Sequence, residues 1–200
     1  MVRRTRAEAE ETRVSLLATA RRVFAEQGYA QVSMDDLTRQ AGLTRGALYH
    51  HFGDKKGLLA AVVLQIDQEM EARLQDISES ATSPWEGFRA RCHAHLQMAL
   101  EPEYQRIVLR DAKAVLGDIG DNQSQCIATM ARLIDSMIRN GIIDETDPEA
   151  LALLIFGSLS ETSAWIADEG GSEARLRRAT CALDILLRGI PNTAQPQPAG

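Results

Sequence analysis

Two hundred residues, 44% of them hydrophobic, supply enough apolar side chain for one or two domains with real cores, and the composition is far from that of a disordered chain. The formal charge of −6 is unevenly spread. Residues 1–57 hold ten Lys/Arg against seven Asp/Glu, net +3, whereas residues 58–200 hold twelve against twenty-one, net −9. A basic N-terminal quarter on an acidic remainder suits a chain that brings only one end to a polyanion. Cys92, Cys126 and Cys181 are widely spaced and odd in number, which fits reduced thiols better than a disulfide framework. No uninterrupted apolar run reaches the roughly 18 to 20 residues of a membrane span, and the start MVRRTRAEAEE lacks an apolar signal core. The expectation is a soluble, cytoplasmic protein.

In chain order, Arg3, Arg4 and Arg6 form a basic arm, readable equally as a solubilising tail or as an arm that orders on a nucleic-acid groove. Glu8, Glu10 and Glu11 then open a helix, Val14, Leu17, Ala18 and Phe24 recur at helical spacing, and Gly28 ends it. The stretch SMDDLTRQAGLTRGALYHHF, residues 33–52, reads as a helix-turn-helix. Ser33 and Asp36 make a capping box, Gly42 takes the turn, Leu43 plugs it, and Thr44 caps a second helix whose tip carries Arg45, Gly46 and Ala47. The predicted core of these helices is Phe24, Tyr29, Val32, Leu37, Ala41, Leu43, Leu48 and Phe52, thin for an independent domain.

Gly53 ends the second motif helix and Asp54 caps a long amphipathic fourth helix reaching about Ser80, with Lys55 and Lys56 at its start. The helix dipole opposes cations there, so an anion such as phosphate is the natural partner. Further helices are predicted over 85–100, 103–116 and 127–140, with a loop over 118–124. Asp147 and Pro148 open an apolar helix to residue 168, and Ser172 caps a last helix to 190. Apolar residues on more than one face of these last two helices predict a four-helix interface with a second copy. The expected fold is all-α, about nine helices: a helix-turn-helix domain over 1–57, a helical domain over 58–190, and a Pro/Gln/Ala tail over 191–200 that should be disordered.

The combination Ala41-Gly42-Leu43 with Leu48-Tyr49-His50-His51-Phe52 and Lys55, set after a first helix ending in glycine, resembles the DNA-binding domain of the TetR (tetracycline repressor) family of bacterial transcriptional regulators over roughly residues 10–65. Beyond about residue 80 the similarity is architectural: a helical ligand-binding and dimerisation domain. The resemblance implies a homodimeric, effector-responsive regulator, most simply a repressor, bound to a palindromic double-stranded DNA operator and released by a small molecule. No cofactor, metal or membrane is implied. It further implies that Ser33, Thr44, Arg45, Tyr49, His51 and Lys55 contact DNA, mainly phosphate, and that Arg45, Gly46, Ala47 and His50 face base edges. Gly46 and Ala47 carry no hydrogen-bonding side chain, so Arg45 is the expected base reader.

The expected effector pocket draws on Trp85, Phe88, Cys92, His95, Met98, Arg110, Met130, Phe156, Thr162 and Trp165. Two alternatives stand beside the regulator: a Cys/His-based enzyme or metal site on Cys92 and His95, and a sequence-blind DNA-binding protein. His93 points away from the Cys92–His95 face, and no second ligand pair has zinc spacing.

Overall fold

Helical periodicity runs through the chain from end to end, and the computed structural model, which describes residues 6–117, 120–168 and 171–191, has nine helices and no strand among them. They are α1 (Arg6–Gln27), α2 (Met34–Ala41), α3 (Arg45–Phe52), α4 (Lys55–Glu79), α5 (Pro84–Met98), α6 (102–116), α7 (Gly120–Arg139), α8 (Pro148–Ala167) and α9 (Glu173–Arg188). A 3₁₀ turn, Tyr29–Gln31, follows α1. Residues 1–68 with 102–119 form one compact unit, and residues 69–101 with 120–200 form another.

In the first unit α1 buries Leu16, Leu17, Ala20, Val23 and Phe24. The stripe expected from Val14 and Ala18 is displaced: Val14 is 55% exposed. Both stripes have helical spacing, but Leu16 and Val23 bring more apolar surface to one face than Val14 and Ala18 bring to the other. Of the predicted core, Phe24, Val32, Leu37 and Leu48 are buried, and Tyr29, Ala41, Leu43 and Phe52 are half-buried at its edge. Leu58, Leu59, Val62 and Val63 of α4 deepen this core. Gly57 lets α4 start directly behind α3, since a Cβ there would lie 2.1 Å from the Phe52 carbonyl oxygen.

The first unit also includes α6. Arg21 of α1 holds Glu103 bidentately, with Nε and Nη2 each 2.8 Å from a carboxylate oxygen. The Tyr29 N–H donates to Asp111 Oδ2 at 2.7 Å, and Ile107 is fully buried. The helix expected over 103–116 is present but not uniformly α: an α turn at Pro102–Tyr104 runs into a π-helical stretch, Gln105–Ala112, and returns to α at Lys113–Leu116. The loop expected over 118–124 is also corrected, because α7 starts at Gly120. Helix propagation adds one hydrogen bond per residue fixed, so the apolar part of α7 extends back through polar residues that include no proline.

The second unit packs α7 against α8 and closes α5 onto α8 and α9. Twenty-residue α8 is, by length and composition alone, apolar enough to match a membrane span, although Glu149 and Glu161 interrupt its apolar run. It buries Ala152, Ile155, Leu159, Ser163 and Ile166 on one face. Leu154 and Trp165 lie off that face, and Leu154 is 70% exposed. Arg3, Arg4, Asp118 and the tail beyond Pro191 lie outside the described residues.

Two buried polar groups generate stability predictions. Arg91 is only 3% exposed, and its Nη2 lies 2.7 and 2.6 Å from the two oxygens of Glu71. Removing the carboxylate strands a buried charge, so Glu71→Ala should cost about 3 kcal/mol in denaturant unfolding, and the double change Glu71→Leu with Arg91→Met much less. His95 is 8% exposed, and burial, then the Arg91 charge, pushes its pKa from 6.5 down to about 4. The unfolded chain therefore binds a proton that the folded chain refuses between those values. Stability should be fully present above pH 6.5 and fall by about 1.4 kcal/mol per unit towards pH 4, with a shallower fall in His95→Phe measured by the same titration.

Candidate functional site

The exposed surface of the helix-turn-helix is set by its caps. The Ser33 Oγ accepts the Asp36 N–H at 3.1 Å, and the Ser33 hydroxyl donates to Asp36 Oδ2 at 2.6 Å. That hydrogen bond, with Arg39 2.9 Å away, holds the Asp36 carboxyl below its usual range. Gly42 takes φ 65° as the turn closes, a conformation that favours glycine, and the Leu43 N–H returns to the Thr38 carbonyl at 3.0 Å. Thr44 Oγ1 then accepts the Ala47 N–H at 3.3 Å and starts α3. Leu48 faces the core while Thr44, Arg45, Gly46, Tyr49 and His50 are exposed along one side of α3, with Ala47 and His51 half-buried.

Arg45 is held from two directions. Its Nη2 donates to the Tyr49 hydroxyl at 3.2 Å, and its Cζ stands 5.4 Å from the centre of that ring. Its Nη1 lies 3.3 Å from Asp35 Oδ1 on α2. These contacts raise the Arg45 pKa further, so it is a permanent cation at the tip of α3. The His50 and His51 rings meet edge to face at 5.3 Å. Asp54 Oδ1 accepts the Gly57 N–H at 2.6 Å and caps α4. Lys55 does not simply extend into solvent: its Nζ lies 4.1 Å from the centre of the Tyr29 ring. Partial burial lowers its pKa against the opposing pull of Asp111. The sequence holds no spacing signal for that cation–π contact or for the Asp35–Arg45 pair, because each joins different elements.

The residues expected to line an effector pocket are not all gathered together. Thr162 and Trp165 line an open pocket of about 300 Å³ with Leu96, Leu159, Leu183 and Leu186. Trp85 stacks on Phe88 at 5.9 Å, and His95 meets Phe156 edge-on at 6.2 Å. Cys92, Met98 and Met130 are buried, whereas Arg110 is exposed and belongs to the first unit. Sequence reading missed Arg91 and Glu71 here, since nothing in the pattern marks a buried arginine on an otherwise apolar face.

The Cys92 and His95 chemistry argues against catalysis. Burial drives the Cys92 thiol up to about 12, so it stays protonated and is no nucleophile. His93 turns to Asp184 at 2.9 Å, a carboxylate shared with Arg89 at 3.1 Å. Among the described residues no cluster of three His, Cys, Asp or Glu could hold a metal.

With this geometry in view, comparison with known proteins is direct. The profile of the bacterial regulatory proteins of the tetR family matches residues 16–62, and that of the tetracyclin repressor-like C-terminal domain matches residues 85–190. The HTH-type transcriptional repressor BepR of Brucella suis biovar 1 is 31% identical over 188 residues, 93% of this chain and 80% of that protein. The HTH-type regulator TtgR of Pseudomonas putida is 41% identical over 80 residues, 40% of this chain and 38% of that protein. A TetR-family regulator of Pectobacterium atrosepticum, known by crystal structure, superposes with a TM-score of 0.88 at 64% identity, covering 97% of this chain and 100% of that one. FadR of Bacillus subtilis, solved with stearoyl-CoA, shares the fold at a TM-score of 0.71 and 19% identity over 88% of this chain and 98% of that one. The chain therefore belongs to the TetR family of helix-turn-helix transcriptional regulators and is a DNA-binding protein rather than an enzyme.

Proposed function

We propose that this regulator is a cytoplasmic repressor that binds a palindromic operator as a homodimer and leaves it when a small molecule binds its second unit. The observation that carries the DNA reading is the exposed side of α3, where Arg45 and Tyr49 follow the Thr44 cap one turn apart. In this reading Ser33, Thr44, Tyr49, His51 and Lys55 anchor phosphates, and Arg45, Gly46, Ala47 and His50 meet base edges. Lys55 reaches phosphate by leaving the Tyr29 ring. The basic charge of the first 57 residues supplies the sequence-independent part of the affinity.

The dimer rests on apolar surface that α8 and α9 leave open. Leu153, Leu154 and Trp165 on α8 and Ile185 and Leu186 on α9 are all exposed, and Leu186 is 61% exposed. Such a patch on paired helices is what a two-fold interface covers. The effector reading is supported by the helical second unit with its pocket, and by a fold relative that accommodates stearoyl-CoA. An effector releases DNA only if it binds the released state more tightly than the DNA-bound one. BepR, similar over most of the chain, is itself a repressor, which favours repression here.

Three measurements test these assignments. Against a promoter fragment and random DNA in gel-shift titrations across salt, Lys55→Ala should weaken both and reduce the salt slope by about 1. Arg45→Ala should cost the cognate site roughly 5- to 150-fold and spare random DNA, relaxing base preference. Comparable wild-type binding to both DNAs would favour the sequence-blind alternative. Leu154→Glu with Leu186→Glu should shift sedimentation to a monomer and abolish tight operator binding, while leaving the helical circular dichroism unchanged.

A further inference from the structure

The first turn of α2 carries two adjacent acids that have different work. Asp36 completes the Ser33 cap and pairs with Arg39. Asp35 turns instead towards α3, where its Oδ1 lies 3.3 Å from Arg45 Nη1. Both acids gain from the helix dipole, but only Asp35 reaches across the turn to the residue expected to read bases.

Consider what the Arg45 guanidinium can still do. It has five N–H donors, of which the Tyr49 hydroxyl engages one at Nη2, while the Asp35 carboxylate pairs with Nη1 by charge at 3.3 Å. A guanine edge needs two donors, for O6 and N7, and the guanidinium keeps enough to supply them. With Gly46 and Ala47 beside it, direct readout depends on how this one side chain is aimed. An exposed arginine without a brace can turn to any nearby phosphate, which adds affinity for every sequence equally. A carboxylate beside it opposes that use, because it fixes the guanidinium and also repels phosphate.

We propose that Asp35 is a positioning residue for DNA recognition: its carboxylate, with the Tyr49 hydroxyl, aims the Arg45 guanidinium at a guanine edge and denies it to non-cognate phosphate, so that Asp35 raises sequence selectivity at the expense of general affinity. This rests on Arg45 reading a base. Discrimination here comes from weakening wrong complexes as much as from strengthening the right one.

The experiment uses the full chain and a duplex selected by it from a random library, with a scrambled duplex and a set carrying each guanine of the site replaced. Asp35→Asn, Asp35→Glu, Arg45→Ala and the double variant Asp35→Asn with Arg45→Ala are compared by fluorescence anisotropy, with melting temperature as a folding control. Asp35→Asn should bind the scrambled duplex more tightly, and should narrow the selected-to-scrambled ratio by roughly two- to fivefold, the range open to an exposed ion pair. The loss should concentrate at the guanine whose replacement Arg45→Ala ignores. It should vanish in the Arg45→Ala background and be partly rescued in Asp35→Glu. An equal gain on both duplexes, with the ratio unchanged, would overturn the proposal and leave Asp35 a general repulsive charge. The same loss of ratio with Arg45 already removed would overturn it too. If Arg45→Ala leaves every base preference intact, the base-reading assignment itself fails, and that outcome is separable because it does not involve Asp35.

Discussion

The clasp between α1 and α6 is the interaction on which the DNA-binding unit depends. Helices α2 and α3 have eight residues each and bury only Leu37 and Leu48 of their apolar side chains, so the motif by itself makes a thin core, and small cores are marginal. The chain supplements it with residues 102–119, more than 80 positions further along than those they meet. Glu103 locks to Arg21 at both oxygens, Asp111 takes the Tyr29 N–H, and Ile107 adds a fully buried side chain. A bidentate arginine–carboxylate pair constrains orientation as well as distance, so α6 has one seat on α1. The position of α3 then follows, because α1 packs on α2 and α3.

On the recognition surface the charged groups are committed before any DNA arrives. Arg45 is held by Tyr49 and Asp35, Lys55 rests on Tyr29, Arg39 is paired with Asp36, and Arg22 reaches both Glu26 and Gln40. Apart from the half-buried Lys55–Tyr29 contact, each is exposed, and each is weak singly, so none prevents DNA binding. Together they limit the side-chain entropy that binding must remove, since a long cation already held in one rotamer has less freedom to lose. They also make neutralisation of phosphate an exchange of partners rather than a gain from nothing. General affinity is moderated accordingly, and recognition leans on shape and spacing as well as on contacts.

The helix-turn-helix was legible in the sequence because its signals are local. Ser33, Asp36, Gly42 and Thr44 each act within four residues, and the caps and turn stand where their chemistry puts them. Failures came where the deciding partner is distant. Val14 and Leu16 both satisfy a helical period, and only the packing partners choose between the stripes they define. The π-helical stretch of α6 has no composition of its own, and its seat on α1 depends on Arg21 and Tyr29, which precede it by some eighty residues. Arg91 was passed over for the same reason: its burial is compensated by Glu71 on another helix, twenty residues earlier. On α8 apolar residues on more than one face are legible in the sequence, but which face is core is not, because one sequence must serve a core face and an exposed face at once.

The two units are joined by the chain more than once. Helix α4 begins in the first unit and ends in the second, and the segment 102–119 leaves the second unit after α5 and re-enters it before α7. The chain therefore crosses between units three times, and two crossings flank the piece clasped to α1. Under the effector reading, a ligand among α5, α8 and α9 acts on α5, whose C-terminal end leads into α6. Displacing that end must either move α6 with α1 or work against the Glu103 and Asp111 contacts. A π-helical stretch between the anchors has poorer hydrogen-bond geometry than an α-helix, so strain delivered there meets the least regular part of the connection. The response is set by differential affinity: an effector that binds the DNA-bound and released states equally shifts nothing, however tightly it binds.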